Sequence, residues 1–320
     1  MLKTEIQDPS LSVDSVSLHQ NDVIDLKEVM AAIWAGKWLI VCVAALFAVA
    51  SIIYALSIPD EYKSTAILVP ASSSNSSGGS LSGQLGGLAA LAGLSKGAGD
   101  SNTVVAMSLI ETWGFLESFI VNNHLEPEVF AVRGWDRANN KLIYDSKIFD
   151  ATNNVWLDEG GVPSQAAKPS SWKLYLSIKN KINISQDEAT GLISLSVEHY
   201  SPFVAKKWLD KLIVAINMHA KSRDRADALE SIKYLKSQIN KTNVSEMQAV
   251  FYQIIEEQTK TLMLAEISSE YVLKTISSGK VAEIKSKPKR ALMVIFFTLL
   301  GSMLAMTFVL VSHFKKGGGN

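Results

Sequence analysis

The sequence predicts an α+β protein in which two transmembrane helices flank one mixed domain, and a long α-helical hairpin protrudes from that domain. Three observations carry this expectation. Residues 38–58 and 291–312 are uncharged apolar runs long enough to cross a bilayer. Between them, alternating β-branched stretches are interleaved with stretches of helical periodicity. Residues 203–278 hold neither Gly nor Pro in 76 positions, which permits helices far longer than the usual length of about 11–12 residues.

The first run, WLIVCVAALFAVASIIYALSI, is 21 residues without charge, Gly or Pro. At about 1.5 Å per residue it reaches roughly 31 Å, the thickness of a hydrocarbon core of about 30 Å. The second, ALMVIFFTLLGSMLAMTFVLVS, has 22 residues, no charge and one Gly. A buried core helix is also apolar, but two full-length runs flanked by Lys or Arg fit bilayer spans better. The first run is too long for a signal-peptide core and follows 37 mostly polar residues, so it reads as an uncleaved anchor. The chain thus divides into an N-terminal segment (1–37), a first span (38–58), a domain (59–290), a second span (291–312) and a tail (313–320). Charge leaves the orientation open. Lys3, Lys27, Lys37, Lys315 and Lys316 lie outside the domain, while Lys285, Lys287, Lys289 and Arg290 crowd its end. Long loops translocate largely regardless of charge.

Composition excludes several function classes. With 31 basic and 31 acidic side chains there is no basic surplus to bind nucleic acid. One cysteine, Cys42, allows neither an intramolecular disulfide framework nor a Cys-rich zinc site. It lies in the first span and reads as a buried thiol of a membrane helix.

Residues 24–34, IDLKEVMAAIW, have helical apolar spacing, either as an amphipathic helix on the membrane surface or as an extension of the span. Residues 61–69, EYKSTAILV, read as a strand stopped by Pro70. Residues 71–100 hold eight Ser and eight Gly and read as a mobile loop. Within it LGGLAALAGL (85–94) is either a membrane- or partner-binding loop or a helix tucked against the domain. Residues 102–121 read as one amphipathic helix capped by Ser101. In residues 122–171, short strands and turns are expected, with Trp135 and Trp156 packing the core. A helix over 172–179 and strands over 182–185 and 192–199 follow, with a turn at 187–191.

Ser201–Pro202 is a helix start, an N-cap residue followed by Pro at the first helical position. The helix it opens runs to about residue 240, and its charged middle, KSRDRADALE (221–230), forbids burial on all sides. NKTNVS (240–245) interrupts it, and Ser245 with Gln248 offers a capping box. A second helix to about residue 268 then gives either a helical hairpin (201–268) or one bent helix. Residues 270–276, EYVLKTI, read as a strand returning the chain to the α/β base (59–200 and 269–290).

No catalytic constellation is visible. The five His are scattered, and GxSxG, HExxH, CxxC and GxxxxGK[ST] are missing. Asp187–Glu188 and Glu256–Glu257 read as solvated turn and helix faces. A carboxylate pair for glycosyl chemistry forms only in space, so the sequence gives no support for an enzyme. No cofactor and no metal are expected.

Several stretches together resemble the bacterial polysaccharide co-polymerases, the Wzz-type chain-length determinants. They are IDLKEVMAAIWAGKW, IPDEYKSTAILVP, LGGLAALAGL, DEATGLISLSVEHYSPFVAKKWLDKLIVAIN, SIKYLKSQINKTNVSEMQAVFYQIIEEQTKTLMLA and SKPKRALMV. The resemblance runs in order from about residue 22 to 312. It implies an inner-membrane protein with a periplasmic domain and both termini cytoplasmic. It further implies homo-oligomeric rings, a membrane-embedded polysaccharide polymerase as partner, possible contact with the growing glycan, and control of lipopolysaccharide O-antigen chain length without catalysis. Two departures stand out. The approach to the second span offers only Pro288 where a Pro-rich stretch is usual. A glycine pair in that span is replaced by Gly301–Ser302, although Gly301-xxx-Ala305 keeps a spacing that lets helices approach closely. Pro288, Gly301, Ser302 and Ala305 are therefore the candidates for transmembrane packing or polymerase contact. Trp208, Leu212, Leu229, Ile232 and Ile239 are the candidates for the oligomer interface, as apolar stripes that a monomer is not expected to cover. The alternatives are length control or export of a capsule or exopolysaccharide, a periplasmic sensory receptor, for which the short tail supplies no output module, and a glycan-processing enzyme.

Overall fold

The computed structural model describes residues 26–71 and 98–317. Its elements begin with α1 (Leu26–Ala35), α2 (Lys37–Ser57) and β1 (Tyr62–Pro70). Next come α3 (Ala98–Leu109), α4 (Trp113–Asn122), α5 (Glu126–Phe130), β2 (Val132–Asp136), β3 (Lys141–Tyr144), β4 (Phe149–Asp150) and β5 (Val155–Trp156). The last are α6 (Ser171–Lys179), β6 (Ile182–Gln186), β7 (Ile193–His199), α7 (Pro202–Ile239), α8 (Ser245–Ile267), β8 (Leu273–Ser277) and α9 (Arg290–Gly317). They form two units, a helical one up to Ala55 and from Arg290, and a mixed one from Leu56 to Lys289.

In the helical unit, α2 and α9 are long and apolar enough to span a membrane. They lie where the sequence placed the two spans. Gly36 separates α1 from α2, and a Cβ there would sit 2.5 Å from a Val309 methyl. The Arg290 Nε donates to the Ala55 carbonyl at 3.0 Å. Residues 85–94 fall outside the described residues.

In the mixed unit a four-stranded antiparallel sheet has the order β6–β7–β1–β8. Tyr62, Ser64, Ala66 and Leu68 are buried along β1, and the period of two puts them on one face. Ile193, Leu195 and Val197 of β7 join them in the core. The first half of α7 packs here through Ala205, Trp208, Leu209, Leu212, Ile216 and Ala220, all buried, a stripe at helical spacing. Leu116, Phe119 and Ile120 of α4 and Leu174, Tyr175 and Ile178 of α6 complete the core. The turn between β6 and β7 closes as expected. The Asp187 carboxylate accepts the amides of Ala189 and Thr190 at 2.9 and 3.0 Å, and Gly191 takes φ +69°.

Two expectations are corrected. The helix expected over 102–121 is two helices. The segments Thr103–Leu109 and Trp113–Asn122 bend by 67°, and α3 already begins at Ala98, upstream of Ser101. Thr112 is extended and its hydroxyl donates to the Leu109 carbonyl at 2.7 Å, a local bond that competes with helix continuation. Trp135 and Trp156 are half-buried rather than central. Trp135 packs edge-on to Tyr62 at 5.5 Å, and Trp156 lies 5.0 Å from Phe149. Both belong to small hairpins with the same turn, WDRANN and FDATNN. In each the Asp accepts the amide two residues on (2.9 and 2.8 Å) and the Asn side chain three on (2.6 and 2.7 Å). The following residues, Asn140 and Asn154, take φ 49° and 54°.

Asn217 ties the long helix to the sheet. It is buried. Its Oδ1 accepts the amides of Val272 and Leu273 at 2.9 and 3.0 Å. Its Nδ2 donates to the carbonyls of Leu273 and Ile213 at 3.0 and 3.1 Å. All four polar capacities of the amide are used on backbone groups. Asn217→Leu would orphan two buried amides, at about 1–3 kcal/mol for each group left unsatisfied. A lower urea midpoint by tryptophan fluorescence is expected, and an unchanged midpoint would count against this role.

Candidate functional site: a rooted helical hairpin with two apolar flanks

The root is the elbow between β7 and α7. Buried His199 lies 4.8 Å from the Trp208 ring. Its Nε2 donates to the Glu128 carbonyl at 3.2 Å, and its Nδ1 accepts the Ser201 amide at 3.0 Å. A carbonyl on one nitrogen and an amide on the other fix the neutral Nε2–H tautomer. Burial first, then the nearby Lys181 and Lys207 charges, push its pKa down to about 3. The Glu128 carboxylate takes Trp208 Nε1 and Lys207 Nζ, both at 2.7 Å. Ser201 makes no side-chain cap. Its amide is spent on the imidazole instead.

Beyond Ala220 the helix leaves the sheet and pairs with α8. Burial recurs at Lys221, Asp224, Ala228, Ser231, Leu235 and Gln238 on α7, and at Gln248, Phe251, Ile255, Gln258, Leu262 and Ala265 on α8. Steps of three and four give the 3.5-residue period of a left-handed coiled coil. The pairing is antiparallel. At the foot Lys221 donates to the Glu266 carbonyl at 3.2 Å, and Arg225 pairs with the Glu266 carboxylate at 3.0 Å. At the tip the Gln248 side chain donates to the Thr242 and Ile239 carbonyls at 2.8 and 3.4 Å. This corrects the expected capping box: Val244 precedes α8, and Gln248 closes the end of α7. Half of these twelve seam positions are polar or charged, so the seam is weaker than an aliphatic one. Asp224 is held by the Tyr271 hydroxyl at 3.0 Å. Burial and that carboxylate raise the Tyr271 pKa to about 12.

The apolar residues missing from the seam are on the hairpin's sides. In heptad terms Arg225 and Glu266 are both e positions, which face each other across an antiparallel pair. Ile232, Ile239 and Tyr252 share that flank, joined by Leu229 and Met263 beside it. The opposite flank carries Tyr234, Met247, Val250 and Ile254. Leu229 is 47% exposed, and Ile232 and Ile239 are half-buried. Trp208 and Leu212 are 1% and 0% exposed. The expectation that a monomer leaves these two uncovered is therefore corrected: they face the sheet and have no surface to offer a neighbour. Periodicity along α7 is common to its core face and its free face, so the sequence did not separate them. Along the first flank two adjoining hollows of about 590 and 520 Å³ share Met218 and Ser222. They make a groove along α7 from Asp210 to Leu229.

In the helical unit Gly301 meets α2: a Cβ there would lie 2.6 Å from the Phe47 ring. Ala305 is buried. The Ser302 hydroxyl donates to the Leu299 carbonyl at 2.7 Å. Pro288 is half-exposed just before α9. Gly301 therefore serves helix packing within the chain. Among the described residues no group of three or more His, Cys, Asp or Glu is placed to hold a metal.

A mixed unit with a free-sided hairpin, joined in sequence to two helices long and apolar enough to cross a membrane, defines an α+β chain with two candidate spans. Residues 22–112 match the Wzz family model, described as chain length determinant protein. That match covers the N-terminal part of the chain and is to the family that the sequence resembles. Among solved structures it is similar to a full-length bacterial polysaccharide co-polymerase, with a TM-score of 0.38, 11% identity, and coverage of 93% of this chain and 99% of the other. It is also similar to a fragment of WzzB, a polysaccharide co-polymerase from Salmonella Typhimurium, with a TM-score of 0.31, 11% identity, and coverage of 72% and 100%. No curated protein sequence matches it.

The root makes stability depend on pH. The folded pKa of His199, about 3, lies below its unfolded value of about 6.5, so the unfolded chain binds the proton first. The contribution is complete above that unfolded value and is lost as pH falls toward the folded one, with a limiting slope of about 1.4 kcal/mol per unit. Urea midpoints measured from pH 7.5 to 4.5 should fall more steeply in the wild type than in His199→Gln. Parallel slopes would contradict the assignment.

Proposed function

We propose that this protein sets the chain length of a surface polysaccharide, lipopolysaccharide O-antigen first, as a ring-forming co-polymerase beside a membrane polysaccharide polymerase. The observation that carries the reading is the pair of unlike apolar flanks on the hairpin. A solvated hairpin has no use for apolar groups on both sides, and exposed patches of this kind mark contact sites. Because the flanks differ, one copy's first flank packs on the next copy's second flank. Such heterologous contact closes into a ring when the rotation closes.

The family match over residues 22–112 supplies the chain-length role. In this reading α2 and α9 cross the inner membrane, residues 56–289 lie in the periplasm, and both ends of the chain lie in the cytoplasm. Leu229, Ile232 and Ile239 contribute to the protomer contact. Ser302 and Pro288 remain available to the polymerase, while Gly301 and Ala305 hold the helix pair. In this reading the protein acts as a regulator rather than a catalyst, in keeping with the chain length determinant family matched over residues 22–112. The scaffold then biases how long the polymerase keeps a growing chain.

Leu229→Glu with Ile232→Glu would place unpaired charges in each contact, at about 3–5 kcal/mol apiece if fully buried. The expected result in detergent is a shift from oligomer to monomer by light scattering, and an unchanged mass would count against this packing. In the host, deletion of the gene should remove the modal band cluster of the lipopolysaccharide ladder, and the double variant should fail to restore it. An unchanged ladder on deletion would turn the reading to a capsule or exopolysaccharide.

A further inference from the structure

At the end of the mixed unit where the chain emerges from α2, two exposed apolar groups are held by a rigid frame. Ile284 is 82% exposed, the most exposed large apolar side chain among the described residues. It belongs to the segment between β8 and α9, which has no regular secondary structure but is fastened along its length. The Ser64 hydroxyl donates to the Lys280 carbonyl at 2.8 Å. Lys285 pairs with Asp60 at 3.1 Å. The Glu61 amide donates to the Lys287 carbonyl at 2.9 Å, and the Ser286 amide to the Glu61 carbonyl at 2.8 Å. Lys287 also pairs with Glu198. Exposure of Ile284 is therefore not the looseness of a free loop. The second group is Phe203 in the first turn of α7, 48% exposed. It lies 6.2 Å from Trp135, which in turn lies 5.5 Å from Tyr62.

Both groups hang on the first residues after the span. Asp60, which holds Lys285, is three residues beyond Ser57, the end of α2. Tyr62 is two further on. Three extended residues reach about 10 Å, comparable with the polar layer of about 5–7 Å that lies on each side of the hydrocarbon core. Trp and Tyr are enriched at that depth, which suits Trp135 and Tyr62 beside Phe203, and lysines such as Lys285 and Lys287 lay their stems on apolar surface while their charges stay wet. We propose that Ile284 and Phe203 form a lipid-contacting foot, which enters the phospholipid headgroup layer.

The proposal rests on the reading of α2 and α9 as bilayer spans, and the lone cysteine lets both be tested in the full chain. An environment-sensitive fluorophore is attached in vesicles of phosphatidylethanolamine and phosphatidylglycerol to native Cys42, or, in a Cys42→Ser background, through Ile284→Cys, Phe203→Cys or Ser237→Cys. Ser237 is exposed on the outer half of α7 and serves as the aqueous reference. Quenching is read with nitroxide lipids labelled near the headgroup or deep in the acyl chain. The expected result is that the probe on Cys42 is quenched by the acyl labels. The probes at 284 and 203 should be quenched at least twofold more by the headgroup label than the probe at 237, with blue-shifted emission. Either site matching 237 while Cys42 is quenched would overturn the foot and leave the spans standing. Absence of quenching at Cys42 would overturn the spans and the foot together.

Discussion

Everything in the mixed unit depends on α7 being one uninterrupted helix. Its 38 residues reach about 57 Å at 1.5 Å per residue, and it serves two environments. As far as Ala220 its inner stripe is core, packed on β1 and β7. Beyond that point it is one strand of a coiled coil with charged and polar neighbours. A rigid rod shared in this way makes the root and the tip mechanically one object. The His199 and Glu128 network ties the start of the rod to the end of β7 and to α5, and Asn217 ties it to β8. There Leu273 brings the returning chain back to the edge of β1. A small change at the root is therefore carried, by lever length alone, to the flanks of the hairpin.

The seam explains why the flanks are apolar. With Lys221, Asp224, Ser231, Gln238, Gln248 and Gln258 facing inward, α7 and α8 gain little from each other per turn. Leu229, Tyr234, Val250, Ile254 and Met263 face outward instead. The apolar surface that a stable pair would bury between its helices is left exposed on the hairpin's sides. The groove from Asp210 to Leu229 continues the first flank down onto α4, so a neighbour would be met along much of the rod.

Much of this architecture was legible in the sequence, for identifiable reasons. The two membrane-length helices follow from length and absence of charge. The hairpin follows from a long stretch without Gly or Pro and one polar break. β1, β6, β7 and β8 follow from short β-branched runs bounded by turn residues. What was not legible depends on tertiary context. The break at Thr112 hid because α3 and α4 both bury apolar residues in the same core, so the apolar rhythm passes through it. Trp208 and Leu212 share a helical period with Leu229 and Ile232, and only the position of the sheet separates core from free face. Gln248 looked like a cap for its own helix, yet its amide serves the carbonyls of the helix before it. The seam was missed because half of it is polar, and a search for apolar heptads passes over it. The paired turns WDRANN and FDATNN carry a visible sequence signal, an Asp followed at three and four by Asn. At the second span, Gly301 and Ala305 stood out as small residues, but that Gly301 meets Phe47 of the same chain came only from the structure.

The central claim is that the two flanks of the hairpin are complementary surfaces between copies, first flank to second. Its most direct test is cross-linking of purified protein in a Cys42→Ser background. Leu229→Cys alone, Ile254→Cys alone, and both in one chain are treated with a short bismaleimide. The account predicts that each single variant stays monomeric on a denaturing gel, while the chain carrying both gives a ladder extending beyond the dimer. Dimers from either single variant would mean that like flanks meet, and no ladder from the double variant would mean that these flanks do not meet at all. Either result would contradict the account.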